Sequence, residues 1–382
     1  MPKILRIITS SFSFYLIRGQ MEYISQHGYE IYASSGRPFE DFEEKEQQEK
    51  VKMFKIKHLV RPINVIYDFI AIIETVRLIR KIKPDIVHTQ TPKAGMVGMF
   101  AAWLCRVPIR IHTVGGLRLI EEKGLFRKVL DLIEKITYAA ATIVQPNSKA
   151  LCDFIIEHKY APKRKIKVIH NGSTNGINLE NFSRSKEIMT KANEIKVDLG
   201  GAFTYIFVGR IVRDKGICEL VEAFTRLYQE TPHIRLLLVG NFEQDLDPLP
   251  ESVYHTIKTH KAIYCSGWQD DVRPWLAVAD ALAFPSYREG FPNVVMQAGA
   301  MELPSVVSDI NGCNEIIIEG KNGLIVPPHD ASALYHGMKR IMEDKVLYNH
   351  CKQNARPLIA SRYKQEDVWQ GMLELYNSLL SK

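Results

Sequence analysis

The stretch Thr204-Tyr205-Ile206-Phe207-Val208-Gly209-Arg210-Ile211-Val212-Arg213-Asp214-Lys215-Gly216 decides the architecture. Thr204–Val208 is a run of β-branched and aromatic residues of strand length. Gly209 lets the chain leave a sheet tightly. Beyond Gly216, the residues Ile217, Leu220, Val221, Phe224 and Leu227 recur at helical spacing on one face. Strand, basic turn and helix form the repeating unit of a parallel α/β sheet. Arg210 and Lys215 fall at the carboxyl end of the strand, near the next helix, where guanidinium, ammonium and backbone N–H groups converge on a diphosphate. The plain alternative is a loop with two solvated cations.

The same alternation runs outward in both directions. Strands are predicted at Ile4–Thr9, Glu30–Ser34, Val51–Ile56, Asp85–Thr89, Ile109–Thr113, Thr142–Gln145 and Lys167–His170. After a polar linker, roughly Asn175–Gly201, they resume at Thr204–Val208, Arg235–Val239, Ala262–Cys265, Ala281–Phe284, Ser305–Val307 and Leu324–Val326. Among the helices between them, Phe69, Ile72, Ile73, Val76 and Ile79 make one apolar face. The reading is α/β, with two doubly wound domains, 1–175 and 200–362, facing across a cleft. A last helix within 365–382, with Trp369, Met372, Leu373, Tyr376 and Leu380 in register, packs back on the first domain.

The charge is unevenly shared. Lys and Arg outnumber Asp and Glu by 28 to 17 up to Asn175, then fall to 22 against 26. A basic front half suits solubility, an anionic membrane or a phosphate-bearing acceptor. No basic run interleaved with aromatics points to nucleic acid. The six cysteines are scattered, which suits a reducing compartment and argues against disulfides or a zinc site. The N-terminus reads as a strand and not a signal peptide, and the longest apolar run, Met96–Cys105, is half the length of a membrane span. A cytoplasmic protein, peripheral to the inner face of the membrane, is expected.

No G-x-G-x-x-G follows the first strand and there is no P-loop, which argues against dehydrogenases and P-loop enzymes. A second segment does carry chemistry: Pro285-Ser286-Tyr287-Arg288-Glu289-Gly290-Phe291-Pro292-Asn293-Val294-Val295-Met296-Gln297-Ala298. A strand ends at Phe284 and a helix begins near Pro292, a residue favoured at first helical positions. Gly290 permits close backbone approach, and the N–H groups of Phe291, Asn293 and Val294 are free for a ligand. Glu289 stands at the mouth as a lone carboxylate able to accept from sugar hydroxyls, or simply as a solvated loop acid. Gln297 lies one turn beyond Asn293 on the same face.

In order and spacing, these segments resemble the family-4 retaining glycosyltransferases of the GT-B fold. The resemblance extends to Asn171-Gly172, Gly267-Trp268-Gln269-Asp270-Asp271-Val272, Asp309-Ile310-Asn311-Gly312-Cys313-Asn314-Glu315 and Glu319-Gly320-Lys321-Asn322-Gly323-Leu324. The front half, with Arg18-Gly19-Gln20, His112-Thr113-Val114-Gly115-Gly116-Leu117 and Pro146-Asn147-Ser148, is similar to bacterial members that build capsule, O-antigen or lipid-linked oligosaccharides.

The resemblance implies that Arg210 and Lys215 bind the donor diphosphate and that Glu289 holds the donor sugar. Gly209, Gly290, Phe291, Pro292, Asn293, Val294 and Gln297 would line the donor. The family usually carries Glu at the position of Gln297, where it binds the ribose; an amide accepts at one end and donates at the other. His112 is the candidate for the family's donor-facing histidine, although the usual position falls closer to Gly115. A hydrogen-bonded core histidine is the alternative for His112, and equally for His88. Arg18, Gly19, Gly115, Gly116 and Arg118 would face the acceptor.

The implied reaction is metal-independent and needs no cofactor. It moves a sugar, with retention, from a nucleotide-diphosphate donor (UDP by family habit) to an undecaprenyl-diphosphate-linked or other glycan acceptor. Arg118, Lys123, Arg127, Lys128 and Lys135 would give a cationic flank toward anionic lipid. Two other functions suit the same fold: a nucleotide-sugar epimerase, which needs no acceptor, and a non-catalytic nucleotide-sugar-binding subunit.

Overall fold

The computed structural model describes residues 1–381 except 118, 120, 121, 199, 244 and 246, with backbone alone for 196–198. The chain divides into two units, Met1–Gly176 with Gln365–Lys382, and Ile177–Lys364.

The first unit holds β1 (Lys3–Ser10), β2 (Glu30–Gly36), β3 (Lys52–Lys55), β4 (Ile86–Gln90), β5 (Ile109–Val114) and β6 (Ile143–Pro146). The second holds β7 (Phe203–Val208), β8 (Ile234–Val239), β9 (Ile263–Gly267), β10 (Ala281–Phe284), β11 (Ser305–Ser308) and β12 (Gly323–Val326). The sheet orders are β3-β2-β1-β4-β5-β6 and β12-β11-β10-β7-β8-β9. Every strand pair is parallel. Each order reverses direction at its first strand, so helices cover both faces and loops gather at the strands' carboxyl ends.

The helix Ile217–Glu230 buries all five residues whose spacing predicted it. The helix Pro92–Leu104 holds most of the longest apolar run; Val97, Met99, Ala101 and Ala102 are buried in the first unit, and Trp103 and Leu104 at its end are exposed. Among the described residues, no helix is long and apolar enough to cross a membrane. None of the six cysteines is joined in a disulfide. The helix Gln365–Leu380 places Met372, Leu373 and Tyr376 in one core of the first unit.

Three expectations are corrected. Residues 167–170 form no strand; the edge of the sheet ends in a single bridge between Val144 and Ile166. The polar stretch after Asn175 is no simple linker, because it contains the helix Lys186–Asp198, whose Ile188 and Ala192 join the second core. The second unit therefore begins at Ile177 and not near residue 200.

The third correction concerns one residue of the helix Val65–Ile82, Phe69. The helix buries Ala71, Thr75, Ile79 and Ile82, while Phe69 is left exposed. Small side chains let this helix close on its neighbour Pro92–Leu104, and the Lys93–Asp68 ion pair at 2.6 Å sets its rotation. Ile79 of the expected face is buried, Ile72 and Val76 pack against the same core, and Phe69, at the start of that face, turns outward.

Candidate donor site and the family it defines

The site is built at the carboxyl edge of β7 and β10. Gly209 leaves β7 at φ 153°, a region open mainly to glycine. The chain makes a short 3-10 turn, Arg213–Lys215, and enters the helix through Gly216 at φ 69°. A Cβ on Gly216 would lie 2.0 Å from the carbonyl oxygen of Pro285. The two loops approach that closely because Gly216 has no side chain.

Lys215 Nζ lies 2.6 Å from Glu289 Oε1, and the Ser286 hydroxyl donates to the same oxygen at 3.2 Å. Ser286 is fully buried and is also 3.5 Å from Lys215 Nζ, so it anchors the pair from beneath. Arg210 donates to Glu243 at 3.1 Å and approaches Asp214 at 3.6 Å. Arg288 donates to Asp214 at 3.0 Å. Asn311 Nδ2 donates to the carbonyls of Glu289 and Gly290 at 3.0 and 2.5 Å and fixes the bend after Glu289.

The helix that follows is Asn293–Ala300, with Pro292 as its cap and not its first residue. Among the described residues, the amides of Phe291, Asn293 and Val294 donate to no other group. Phe291 is buried against the ring of Tyr363, 5.3 Å between centroids, which sets the backbone of Gly290 and Pro292. Gln297 is half-buried on the same helix.

The structure thus brings together Gly209, Arg210, Lys215, Glu289, Gly290 and the start of the Asn293 helix. Each cation is paired with a carboxylate, so an arriving anion must exchange for one. Nothing in the sequence assigns a role to Ser286, Asn311 or Glu243. Only the chain's return to the same loops reveals these partners.

The histidines have structural roles. His112 is buried on β5; its Nδ1 is 2.8 Å from the Thr89 hydroxyl, and its ring lies against Gly95, where a Cβ would approach to 2.3 Å. Burial pushes His112 down to about 4, so the ring is neutral at physiological pH. This is the geometry of a core histidine, the alternative that the sequence left open for His112. His88 is buried between Tyr376 and Thr113, and burial, with Arg6 beside it, holds its pKa well below the usual histidine range.

Of the residues expected on the acceptor side, Gly19 packs under Trp369, where a Cβ would lie 2.9 Å from the indole. Arg18 is exposed next to it. Gly115 and Gly116 follow β5 at its carboxyl end, Gly116 at φ 150°. Arg118 lies outside the described residues.

Among the described residues, no group of three or more His, Cys, Asp and Glu is placed to hold a metal. Two parallel sheets, with a cationic turn set against a carboxylate loop in the second, define the GT-B class of glycosyltransferases. Anabaena HepE, solved in complex with UDP, superposes over 98% of this chain and 100% of its own with a TM-score of 0.81 at 19% identity.

Residues 202–344 match the family model Glycosyl transferases group 1, and residues 16–173 match Glycosyltransferase Family 4. The capsular polysaccharide biosynthesis glycosyltransferase CapM of Staphylococcus aureus is 31% identical over 100% of this chain and 98% of its own. The UDP-Gal:alpha-D-GlcNAc-diphosphoundecaprenol alpha-1,3-galactosyltransferase of Escherichia coli is 29% identical over 82% of this chain and 81% of its own. The chain belongs to glycosyltransferase family 4.

Proposed function

We propose that this glycosyltransferase moves a sugar, with retention, from a UDP-sugar to a diphosphate-linked lipid glycan in bacterial surface polysaccharide synthesis. The observation that carries the donor half is the Arg210–Lys215 turn set against Glu289, where Lys215 and Glu289 are 2.6 Å apart. CapM and the diphosphoundecaprenol galactosyltransferase support the pathway and the acceptor, and HepE with UDP supports the nucleotide.

The bond from the sugar's anomeric carbon to the β-phosphate oxygen breaks, leaving an oxocarbenium-like sugar. Arg210 and Lys215 stabilise the charge that grows on the departing diphosphate, in a role that needs no metal ion. The acceptor hydroxyl attacks from the same face, and its proton passes to the departing phosphate oxygen. Glu289 accepts from hydroxyls of the donor sugar and moves away from Lys215 as the diphosphate takes its place. Gln297 holds the ribose through one accepted and one donated hydrogen bond.

The acceptor's membrane is the inner face of the cytoplasmic membrane. In support, the helix Gly124–Ala140 carries an outward stripe of Leu125, Val129, Leu132 and Ile136, 79%, 42%, 58% and 44% exposed. Lys128 and Lys135 flank the stripe in the helical register, and both are exposed.

The test is a panel of nucleotide sugars screened for a rise in thermal midpoint, followed by transfer to an undecaprenyl-diphosphate-linked glycan. A ligand at one hundred times its Kd stabilises by about 2.7 kcal/mol. UDP released only when acceptor is added supports transfer. UDP-sugar turnover without acceptor points to an epimerase, and binding without any turnover points to a binding subunit.

A further inference from the structure

The loops that follow β2 and β3 meet around a shallow, open depression in the first unit, lined by Arg37, Phe39, Glu40, Val60, Arg61 and Pro62. The loops are held together by backbone. Gly36 lies so close to Leu59 that a Cβ would stand 1.8 Å from its carbonyl oxygen. Arg37 donates its amide to Leu59 O at 3.2 Å and its Nε to Lys57 O at 3.1 Å. His58 is fixed in turn by Glu74 of the helix Val65–Ile82, at 2.8 Å to the ring and 3.1 Å to the amide. The loop that presents Arg61 is therefore anchored at two points.

The depression is flanked by cations. Arg37 and Arg61 are both exposed, and among the described residues neither pairs with a carboxylate. Glu40 is the one acid in the lining, and Lys57 adds a further exposed cation on the same loop. Guanidinium pairs of this kind match the oxygens of a diphosphate.

Directly after Pro62 the chain turns apolar and outward. Ile63, Val65, Ile66 and Phe69 are all more than half exposed, with Val65 at 80%. Successive Cα atoms are about 3.8 Å apart, so Ile63 starts at the rim of the depression and Ile66 follows within the first helical turn. Contiguous exposed apolar side chains mark a binding surface.

We infer that this open depression and apolar ramp form a subsite for a polyisoprenyl diphosphate, with Arg37 and Arg61 on the diphosphate and Ile63, Val65, Ile66 and Phe69 along the first isoprene units. The inference rests on the reading of the acceptor as a diphosphate-linked lipid, and it places that acceptor's lipid end at the carboxyl edge of β2 and β3.

The probe is geranylgeranyl diphosphate, titrated below its micellar concentration with saturating UDP present to occupy the Arg210–Lys215 turn. Wild type should bind it, and bind inorganic diphosphate more weakly. The double variant R37A/R61A should bind it at least tenfold more weakly. I66S/F69S should lose affinity for the isoprenyl probe while keeping that for inorganic diphosphate. UDP affinity and thermal midpoint should stay at wild-type values in both.

Equal binding by wild type and both variants, or no binding by wild type that still takes UDP, would overturn the subsite. So would variants that keep the probe but lose flotation with anionic vesicles free of isoprenoid diphosphate, since the patch would then be a plain membrane face. If the lipid acceptor reacts with a wild-type KM in R37A/R61A, the subsite fails and the transferase reading stands. If no lipid-linked acceptor reacts with wild type, it is the transferase reading that fails.

Discussion

Lys215 Nζ and Glu289 Oε1 form an ion pair 2.6 Å long that joins the loop after β7 to the loop after β10. Both side chains are largely shielded, so the attraction is stronger than at an open surface. A donor diphosphate must compete with Glu289 for the ammonium group. Lys215→Ala should lower turnover about 10²–10³-fold, the scale of losing one charge-stabilising donor. Glu289→Gln should also lower turnover, yet bind UDP as tightly as wild type or more so, because Lys215 is released. Calorimetric titration with UDP beside initial rates separates the two; UDP affinity that falls in step with turnover would contradict the competition.

Gln297 sits half-buried on the helix Asn293–Ala300. A carboxylate there would accept from both ribose hydroxyls. Charge-assisted hydrogen bonds exceed neutral ones by about 1 kcal/mol, so Gln297→Glu should tighten UDP binding roughly fivefold with little change in kcat. A weaker complex in the titration would place the ribose elsewhere.

His112 ties pH to stability. Its folded value of about 4 lies below the ordinary 6.5, because burial disfavours the charged ring. Between these values the unfolded chain binds more protons, so the neutral ring's contribution is present above pH 6.5 and is lost as pH falls toward 4. The stability advantage of wild type over His112→Gln should shrink by about 3 kcal/mol across that window. Urea unfolding at pH 7, 5.5 and 4 measures it; an advantage that does not change with pH would mean the ring is solvated.

The helix Gly124–Ala140 gives a prediction for membrane contact. Leu132→Glu, in the middle of its exposed stripe, should abolish flotation with anionic vesicles. Removing Lys128 and Lys135 together should weaken it about 30-fold, at about 1 kcal/mol per cation. UDP binding should be untouched in both variants. Flotation that survives Leu132→Glu would assign the stripe to another partner.

Much of the fold is legible without coordinates. Thr204–Val208 and Ile217–Leu227 read as strand and helix because both are buried on the faces that their local periods predict. The donor loops are legible for the same reason: Gly209, Lys215, Glu289 and Pro292 sit where strand ends and helix starts must fall. Residues 167–170 mislead, since an apolar run is also what a covered loop shows. The helix Val65–Ile82 misleads at one residue: Ile72, Val76 and Ile79 face the core as their period predicts, and Phe69 does not.

Sequence alone determined the order of the elements, the two parallel sheets and the segments that carry chemistry. These follow from short-range terms: apolar period, glycine freedom and the breaks at proline. Tertiary structure decided which side chains meet. It turned Phe69 outward, buried His112 against Thr89, placed Ser286 beneath the Lys215–Glu289 pair and set Glu243 against Arg210. Such partnerships join residues up to dozens of positions apart, and they depend on the close packing of whole helices and loops, which no local window of sequence contains.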